Sequence, residues 1–500
     1  MDYLALQNGS DIRGVAIDGE KKANLDETSV KATGRAFALW LKERLNRDTG
    51  LRVSIGRDSR LTGEKLAGWF AAGLMKEGVE VVNFNLASTP AMFMSTVREG
   101  WMFDGAVMVT ASHLPFDRNG FKLFTASGGL EKADIKAILT AAAEIGADVC
   151  EEAPAEDRDF ISVYAADMVD FIRRSVNAEN YERPLEGMHI VVDAGNGAGG
   201  FFADKVLEPL GANTAGSLFL KPDGSFPNHA PNPENAEAMK AISDAVLKNR
   251  ADLGLIFDTD VDRAAAVTAD GREINRNGLI ALMSAIVLRE HPNSVIVTDS
   301  ITSTGLKEFI EGCGGVHRRF KRGYRNVINE AIRLNNEGTE SHLAIETSGH
   351  GALKENYFLD DGAYLMAKLL IEAARCKTQG KGIETLIENL REPLEAKEYR
   401  IKLLCDDFAA YGKKVLEDVS TYAEAKSDWR VEPENHEGIR VNVDKHGGWF
   451  LLRMSLHDPL MPLNIESDRE GGVSAIACEV YEALKCFDGL DTSIIAAGIC

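Results

Sequence analysis

The chain has 500 residues, of which 45% are hydrophobic and 27% are charged, and these are the values of an ordinary globular protein with three or four domains. Its 56 basic and 77 acidic residues give a formal net charge of −21, which argues against broad, nonspecific nucleic-acid binding and against adhesion to anionic membranes. No apolar stretch approaches the ~18 residues of a membrane span. Seven scattered cysteines with no C-x-x-C pair favour a reduced, cytoplasmic chain over a disulfide framework or a zinc site.

Short runs of Val, Ile and other apolar residues recur along the first three-quarters of the chain, each bounded by turn residues. Continuous runs of this kind are typical of strands that are covered on both faces, so they predict mixed, mainly parallel sheets with helices outside. Amphipathic segments at 65–78 and 234–249 predict two of those helices. The predicted strands lie at 51–55, 79–84, 105–110, 189–193, 253–257, 294–298 and 342–346.

A strand that runs into a polar turn restarts near Arg52, Gly187 and Pro292, which predicts three consecutive α/β domains. After about residue 390, the segments 438–443 and 448–456 alternate like antiparallel strands, and 470–487 has the pattern of a helix. A C-terminal α+β domain is therefore expected, with all four domains arranged around one central cleft. The predicted domains are residues 1–165, 166–275, 276–392 and 393–500.

Reactive or charged side chains follow four of the predicted strands. Because ligands of open α/β sheets bind beyond the carboxyl ends of the strands, we expect these side chains to line one cleft. They are Ser112 and His113; Asp258, Asp260 and Asp262; Glu346, Ser348 and His350; and Arg453 with Ser455 in the last domain.

The aspartates at 258, 260 and 262 are the most constrained of these groups. Three hard oxygen ligands in a short segment favour Mg²⁺, because carboxylates that follow a buried strand would repel one another without a cation. An EF-hand loop would need Gly and Glu where Arg263 and Ala269 stand. A haloacid-dehalogenase motif would need Thr or Val in place of Asp262. The remaining alternative is an acidic surface turn.

Ser112 is more ambiguous, since a serine after a strand is most often a turn or capping residue. Gly120 and Lys122 follow nearby, and they would allow close backbone approach and contact with an anion. No G-x-S-x-G elbow is present, which argues against an α/β-hydrolase. A serine beside a metal site and basic residues suits phosphoryl transfer, which depends on positioning and charge neutralisation.

Taken together, these loops resemble the α-D-phosphohexomutase family, which includes phosphoglucomutases, phosphomannomutases and phosphoglucosamine mutases. The resemblance runs nearly end to end. It is carried by the segments 10–14, 56–58, 88–90, 110–113, 119–122, 193–197, 222–227, 258–263 and 346–350, in this order.

The resemblance implies an intramolecular phosphotransferase that interconverts hexose 1-phosphate and hexose 6-phosphate, most simply of glucose or mannose. Ser112 would be the phosphoserine, and hexose 1,6-bisphosphate would be the intermediate and activator. Mg²⁺ would be held by Ser112, Asp258, Asp260 and Asp262. The implied catalytic residues are Ser112, Lys122, Arg263, Arg13 and His113, and the implied substrate-binding residues are Glu346, Ser348, His350, Lys321, Arg453, Ser455 and His457.

Two segments depart from the family pattern. The family's distal phosphate loop reads R-x-S-[GN]-T-E-P with a further Arg, whereas here His457 replaces the threonine and the next arginine is Arg469. A family glycine before the sugar-binding glutamate is replaced by Ile345. These departures leave open a noncatalytic sugar-phosphate-binding protein, or a phosphoglucosamine mutase. In each case the expected partner is a small hexose phosphate, with no nucleic acid and no membrane, and the chain is expected to be a monomer or homodimer.

Overall fold

A computed structural model describes residues 2–146, 155–455 and 458–499. The chain divides into two compact units, Met1–Ile286 with Ser348–Ile387, and Val287–Thr347 with Glu388–Cys500. The helices are α1 (Glu27–Leu45), α2 (Gly63–Lys76), α3 (Thr89–Val97), α4 (Lys132–Ile145), α5 (Ile161–Val176), α6 (Ala236–Asn249), α7 (Arg276–Glu290), α8 (Thr304–Gly312), α9 (Tyr324–Asn336), α10 (Gly362–Thr378), α11 (Phe408–Glu424), α12 (Gly472–Leu484) and α13 (Ser493–Ile499).

The strands alternate with these helices as far as α10, and most of the later strands form one sheet. They are β1 (Gln7–Asn8), β2 (Asp11–Val15), β3 (Arg52–Arg57), β4 (Glu80–Leu86), β5 (Gly105–Val109), β6 (Arg118–Thr125), β7 (Gly128–Gly129), β8 (Glu156–Asp157), β9 (Ile190–Asp193), β10 (Leu253–Phe257), β11 (Ala264–Thr268), β12 (Glu273–Ile274), β13 (Val295–Thr298), β14 (Val316–Arg319), β15 (Ser341–Ile345), β16 (Gly351–Leu353), β17 (Leu359–Asp360), β18 (Glu395–Leu403), β19 (Trp429–Val431), β20 (Ile439–Val443), β21 (Gly448–Leu452), β22 (Leu460–Ser467) and β23 (Leu490–Asp491).

The first sheet has the order β1-β2-β6-β5-β3-β4-β8, with β7 paired to β6. Strands β5, β3, β4 and β8 run parallel, and β6 pairs antiparallel with both β5 and β2. Helix α1 begins at a capping box, in which Asp26 accepts from the Ser29 N–H and Ser29 Oγ accepts from the Asp26 N–H. The backbone of α1 packs closely on α2, because a Cβ at Gly34 would lie 2.3 Å from the carbonyl oxygen of Phe70. The β5–β6 loop follows the carboxyl end of β5, inside this sheet.

The second sheet, also in the first unit, has the order β9-β10-β11-β12. Strands β9 and β10 run parallel, and β10 and β11 form an antiparallel hairpin. Helix α6 covers one face through Met239, Ile242 and Val246. The turn between β10 and β11 carries the three aspartates, so both of its ends are held by the same pair of buried strands.

The second unit contains a parallel sheet of strands β14, β13 and β15, followed by an antiparallel sheet of order β19-β20-β21-β22-β18-β23. Buried residues of α11 and α12, among them Val415 and Ile476, pack on this last sheet around Phe450. The α/β and α+β expectations are therefore confirmed. The strand predicted over 448–456 was too long, since β21 ends at Leu452. Beyond it the chain turns back, and the Ser455 N–H donates to the carbonyl oxygen of Leu460 at 2.9 Å.

The predicted helices begin and end within three residues of the observed ones, α2, α6 and α12. Among the strands that were not predicted are β6 and β11. β6 opens with polar residues, and the alanines of β11 favour a helix as much as a strand. The boundaries proposed at 165, 275 and 392 stay predictions. In the part of the chain that the structure describes, no helix combines the length and apolarity that a membrane crossing requires.

Candidate active site

Ser112 lies three residues beyond β5 in the first unit and is 3% exposed. Its backbone is left-handed, with φ of 51°, a conformation that costs a residue with a Cβ roughly 1 kcal/mol or more. The Ser112 N–H donates to Oγ1 of Thr110 at 2.9 Å. Gly120 on the neighbouring strand leaves room for the backbone of β2, since a Cβ there would lie 2.1 Å from the carbonyl oxygen of Ile12. The serine is thus held in a strained position by its surroundings.

The three aspartates occupy the tight turn after β10 and are 0–1% exposed. Each offers a carboxylate oxygen, and these oxygens lie within 4.8 Å of one another. Val261, inside the turn, has φ of 68°, an outlier for a β-branched residue that indicates a tightly determined loop. Gly197 allows the turn to approach, because a Cβ there would lie 2.6 Å from the carbonyl oxygen of Thr259.

Two cations face these carboxylates. Lys122 Nζ makes a close ion pair with Asp262 Oδ2 and lies 3.3 Å from Asp260 Oδ2. Arg263 Nε and Nη2 donate to Asp258 Oδ2 at 3.1 and 3.0 Å. Burial, followed by the charge of Asp262, raises the pKa of Asp258 well above its usual value. At Asp262, burial is outweighed by Lys122 and Arg263, which hold that pKa below its usual value. The positive charges of Lys122 and Arg263 therefore only partly neutralise the three aspartates.

The structure brings Ser112 and the aspartates together. Ser112 Oγ lies 3.1 Å from Asp258 Oδ2 and accepts from Arg263 Nη2 at 3.1 Å. The hydroxyl also lies 3.3 Å from Nδ1 of His113. His113 as a residue is exposed, yet desolvation by neighbouring atoms and the charges of Arg263 and Arg13 lower its pKa to about 3. The imidazole is therefore neutral near pH 7 and can accept or donate a hydrogen bond.

Ser348 and His350 belong to the same unit as Ser112. Ser348 Oγ lies 2.8 Å from His350 Nδ1, and His350 Nε2 lies 3.9 Å from Asp262 Oδ1. Their turn fits against the aspartate hairpin through Gly349, whose φ is 93° and where a Cβ would lie 2.8 Å from the carbonyl oxygen of Ala264. Of the other predicted residues, Arg13 Nη2 donates to Asp11 Oδ2 at 2.8 Å.

The second unit carries the remaining predicted residues. Glu346 follows β15 and is buried, and its Oε1 accepts from the Gly323 N–H at 2.6 Å. Lys321 is exposed. Arg453 is buried at the end of β21, where its Nη1 lies 3.6 Å from Oε1 of Glu437. Ser455 Oγ accepts from the Asp458 N–H at 3.3 Å. The prediction for His457 falls outside the described residues.

Three family models match consecutive parts of the chain. They describe the α/β/α domains I, II and III of phosphoglucomutase/phosphomannomutase, and they match residues 5–148, 166–271 and 275–394. A phosphoglucomutase of Neisseria gonorrhoeae is 30% identical over 469 residues, which cover 93% of this chain and 94% of that protein. The chain belongs to the phosphoglucomutase/phosphomannomutase family. It is accordingly an isomerase of the phosphohexomutase class.

Other members of the family give the same result. A phosphomannomutase/phosphoglucomutase of Pseudomonas putida is 31% identical over 428 residues and covers 85% of each chain. A crystal structure of a phosphoglucomutase/phosphomannomutase family protein from Burkholderia thailandensis superposes with a TM-score of 0.79 at 27% identity, covering 97% of this chain and 98% of that one. The likeness to this phosphohexomutase extends through the C-terminal α+β sheet, which lies beyond the three family models.

Sequence reasoning missed two residues that contact predicted site residues, Thr89 in the first unit and Glu437 in the second. Thr89 Oγ1 donates to Asp260 Oδ2 at 2.5 Å, although the residues are 171 positions apart in the chain. Glu437 faces Arg453. The segments 56–58 and 88–90 were noticed only as parts of the resemblance, and the one available signal was their position after the strands β3 and β4.

Proposed function

We propose that this phosphohexomutase interconverts hexose 1-phosphate and hexose 6-phosphate through a phosphorylated Ser112 and a hexose 1,6-bisphosphate intermediate. The observation that carries the proposal is the position of Ser112 Oγ, within 3.1 Å of both a carboxylate of the aspartate trio and the guanidinium of Arg263. A serine hydroxyl beside both a carboxylate and a guanidinium suits phosphoryl transfer, because the charge of the phosphoryl group must be neutralised during the reaction. The substrates named for the relatives support glucose and mannose phosphates.

The aspartate trio fits Mg²⁺. Among the described residues, Oδ1 of Asp260 and Oδ1 of Asp262 are buried without a hydrogen-bond partner. Buried acceptors of this kind are costly unless a donor or a cation satisfies them. The ligands would be Asp258, Asp260, Asp262 and an oxygen on Ser112, all hard oxygen donors. When bound, the ion would withdraw negative charge from the phosphoryl group during transfer.

In the transfer itself, the bond between phosphorus and Ser112 Oγ breaks while a sugar hydroxyl oxygen bonds to phosphorus, and the hydroxyl proton ends on Oγ. Arg263 Nη2 already lies 3.1 Å from this oxygen, so it stabilises the charge that returns to the serine. Lys122, held by Asp262 and Asp260, supplies a second positive charge. Burial of Ser112 excludes water, which limits loss of the phosphoryl group by hydrolysis.

Substrate binding is proposed for two sets of residues. Ser348 and His350 in the first unit and Glu346 in the second would contact sugar hydroxyls. Arg453 and Ser455 would contact the phosphate that does not react, and Lys321 would contact that phosphate or the sugar. His457, which lies outside the described residues, is proposed for the same phosphate. Arg13 and His113 would contact the phosphate that does react. The bisphosphate must turn over between the two transfers, so that the single serine serves both C1 and C6.

The decisive experiment assays the purified chain with glucose 1-phosphate, mannose 1-phosphate and glucosamine 1-phosphate in the presence of Mg²⁺ and the matching bisphosphate. We expect Ser112→Ala to lower the turnover rate at least a thousandfold. Ser127→Ala, on the exposed β6–β7 turn, should keep the rate of the parent chain. Intact-mass measurement should show one added phosphoryl group on the parent chain that Ser112→Ala lacks. Full turnover by Ser112→Ala would refute the proposal.

The same assay separates the alternatives. Binding of a sugar phosphate with no conversion at any bisphosphate concentration would show a noncatalytic binding protein. Preference for glucosamine 1-phosphate would show a phosphoglucosamine mutase. Sedimentation at several concentrations would decide between the expected monomer and homodimer.

A further inference from the structure

Arg60, three residues beyond β3, has a side chain that is completely buried. Its guanidinium donates to four backbone carbonyl oxygens of the β5–β6 loop. Nη2 donates to Ser112 O and Leu114 O, each at 2.5 Å, and Nη1 donates to Pro115 O at 2.8 Å and Arg118 O at 2.9 Å. The loop that carries the proposed nucleophile is therefore wrapped around one planar cation from another segment of the domain.

Asp58 connects the same guanidinium to the other side of Ser112. Its Oδ2 lies 3.4 Å from Arg60 Nε and accepts from Thr110 Oγ1 at 2.7 Å. Thr110 Oγ1 in turn accepts from the Ser112 N–H at 2.9 Å. Oδ1 of Asp58 accepts from the Arg60 N–H at 2.9 Å. The amide and the carbonyl of Ser112 are thus both held by this one buried ion pair.

A third segment, at residues 224–226, packs against Arg60 and its neighbours. The Phe226 ring centroid lies 5.2 Å from Arg60 Cζ. Gly224 lies against the backbone beside Arg60, because a Cβ there would lie 2.4 Å from both Leu61 N and Ser59 O. Neither residue contacts the aspartates in the hydrogen bonds and ion pairs described. The contacts of this segment indicate that the guanidinium is fixed in place from outside the serine loop.

A guanidinium among these carbonyl oxygens can stabilise the strained backbone of Ser112. Ser112 has φ of 51°, and four carbonyl oxygens converging on one point would repel one another without a cation among them. Arginine suits this task because its donors lie in a rigid plane, whereas lysine offers a single point charge with fewer donors. A displacement of about 1 Å in a reacting group costs roughly a hundredfold in rate.

We propose that Arg60, tied to Asp58, is a positioning residue that holds the β5–β6 loop in the conformation in which Ser112 Oγ can accept and donate the phosphoryl group. Arg60 acts through backbone carbonyls, and in the described hydrogen bonds and ion pairs it has none with Asp258, Asp260 or Asp262. This inference rests on the proposed function for its kinetic consequences, but its structural consequence, a loosened loop, is independent of it.

The test compares Arg60→Lys and Arg60→Ala with Arg57→Ala. Arg57 is the matched control because it lies at the end of β3 and donates to Asp58 O at 3.3 Å, outside the serine loop. We expect Arg60→Lys to lower kcat about a hundredfold with KM within threefold, because the sugar contacts are unchanged. Transfer of phosphate from the bisphosphate to Ser112 should slow equally. Arg57→Ala should keep kcat.

Two further measurements separate positioning from a general loss of folding. Millimolar guanidinium should raise the kcat of Arg60→Ala at least tenfold, because it can enter the space that the arginine side chain leaves. It should not change the kcat of Arg57→Ala. Hydrogen exchange of the amides in 110–118 should be at least tenfold faster in Arg60→Lys, with the exchange of β9 and β10 unchanged. If Arg60→Ala does not fold, Arg60→Lys and Thr110→Val carry the same comparison.

The outcomes are distinguishable. A parent chain without mutase activity would refute the proposed function, and exchange at 110–118 would still decide whether Arg60 holds the loop. An active parent with normal kcat and normal exchange in Arg60→Lys would overturn the inference. A rise in KM alone would overturn it too, since it would make Arg60 a binding residue.

Discussion

The surroundings of Ser112 in the first unit and those of Arg453 in the second both hold buried charges, but they balance them differently. Around Ser112, the three buried aspartates Asp258, Asp260 and Asp262 form ion pairs with Lys122 and Arg263. At Arg453, one arginine faces one acid, Glu437, whose other oxygen accepts from Ser300 Oγ at 2.6 Å and from the Arg322 N–H at 3.0 Å.

Under the proposed function, this difference in charge predicts which ion would bind in each region. Three buried carboxylates in one turn would be stabilised by a divalent cation, and in the proposed function this cation is Mg²⁺. Arg453 already faces an acid, so under the proposed function a phosphate that binds there would compete with the Glu437 carboxylate.

The largest expected effect tests the three aspartates beside Ser112 as ligands of Mg²⁺. Asp260→Asn keeps the shape of the side chain and removes one negative charge from the trio. We expect turnover to fall about a thousandfold or more. We also expect loss of the Mg²⁺-dependent rise in melting temperature, which for the parent corresponds to about 2.7 kcal/mol at a metal concentration of one hundred times Kd.

The control for this measurement is Asp270→Asn, at the exposed turn of the β11–β12 hairpin, where the carboxylate accepts from Thr268 Oγ1 at 2.5 Å. It should keep both turnover and the melting shift. An unchanged melting shift in Asp260→Asn would show that the trio does not bind the ion.

The next effect tests Arg453 as a phosphate contact. Removing a charge-assisted hydrogen bond costs about 1.5–3 kcal/mol, so Arg453→Gln should raise KM for a hexose phosphate by about tenfold to a hundredfold. Since Arg453 would bind the phosphate that does not react, kcat should change less than KM. Steady-state kinetics with saturating bisphosphate would measure both. An unchanged KM would remove Arg453 from the proposed substrate site.

A smaller effect of opposite sign is expected at Glu437. Glu437→Gln preserves an acceptor for Ser300 and the Arg322 N–H but removes the charge that competes with phosphate. KM should therefore fall roughly threefold, as expected for one partly screened charge at short range. Glu434→Gln is the control, because Glu434 pairs with Arg318 at 3.3 Å and is largely exposed. A rise in KM for Glu437→Gln would mean that its carboxylate assists binding.

The smallest effect concerns the pH dependence of stability in the second unit, at Glu479 on α12. It accepts from Lys426 Nζ and Trp429 Nε1 at 2.8 and 2.9 Å, and His446 Nε2 lies 2.8 Å away. Burial opposes its ionisation, but these hydrogen bonds outweigh burial and lower its pKa to about 2. A lowered pKa means that the stabilisation is complete above the ordinary value near 4.5 and is lost as pH falls toward 2.

Because Glu479 is partly exposed, we expect Glu479→Gln to lower the free energy of unfolding by only about 1 kcal/mol at pH 7. The difference from the parent should shrink below pH 4, as measured by urea unfolding followed through tryptophan fluorescence. Glu482→Gln on the same helix, which removes an exposed pair with Lys485, should have no such pH dependence. A difference that is constant from pH 7 to pH 3 would contradict the assignment.

Much of the fold could be predicted because its strands are buried on both faces, and a strand of this kind is continuous and apolar in the sequence. β5, β10 and β13 were found in this way. Hairpin strands such as β6 were missed, since β6 carries Lys122 and other polar residues toward the site. The sequence also indicated which strand ends carry reactive side chains, because ligand-binding loops follow the carboxyl ends of strands.

The contacts among those side chains could not be predicted. Lys122 and Asp262 are 140 positions apart, and Ser112 and Arg263 are 151 apart. Arg60 shows the limit most clearly. In the sequence it is a polar residue in a turn after β3, with no periodic pattern around it, and only the structure reveals the four carbonyl oxygens to which it donates.

The sequence by itself determined the alternation of strands and helices and the reactive residues at strand ends, because these depend on side-chain chemistry within a few neighbouring positions. Only the tertiary structure decided that three aspartates lie together beside Ser112, that Glu437 faces Arg453, and that Arg60 donates to carbonyl oxygens of the serine loop. Electrostatic and hydrogen-bond energies depend on distances of a few ångströms, and packing sets those distances between segments far apart in the chain.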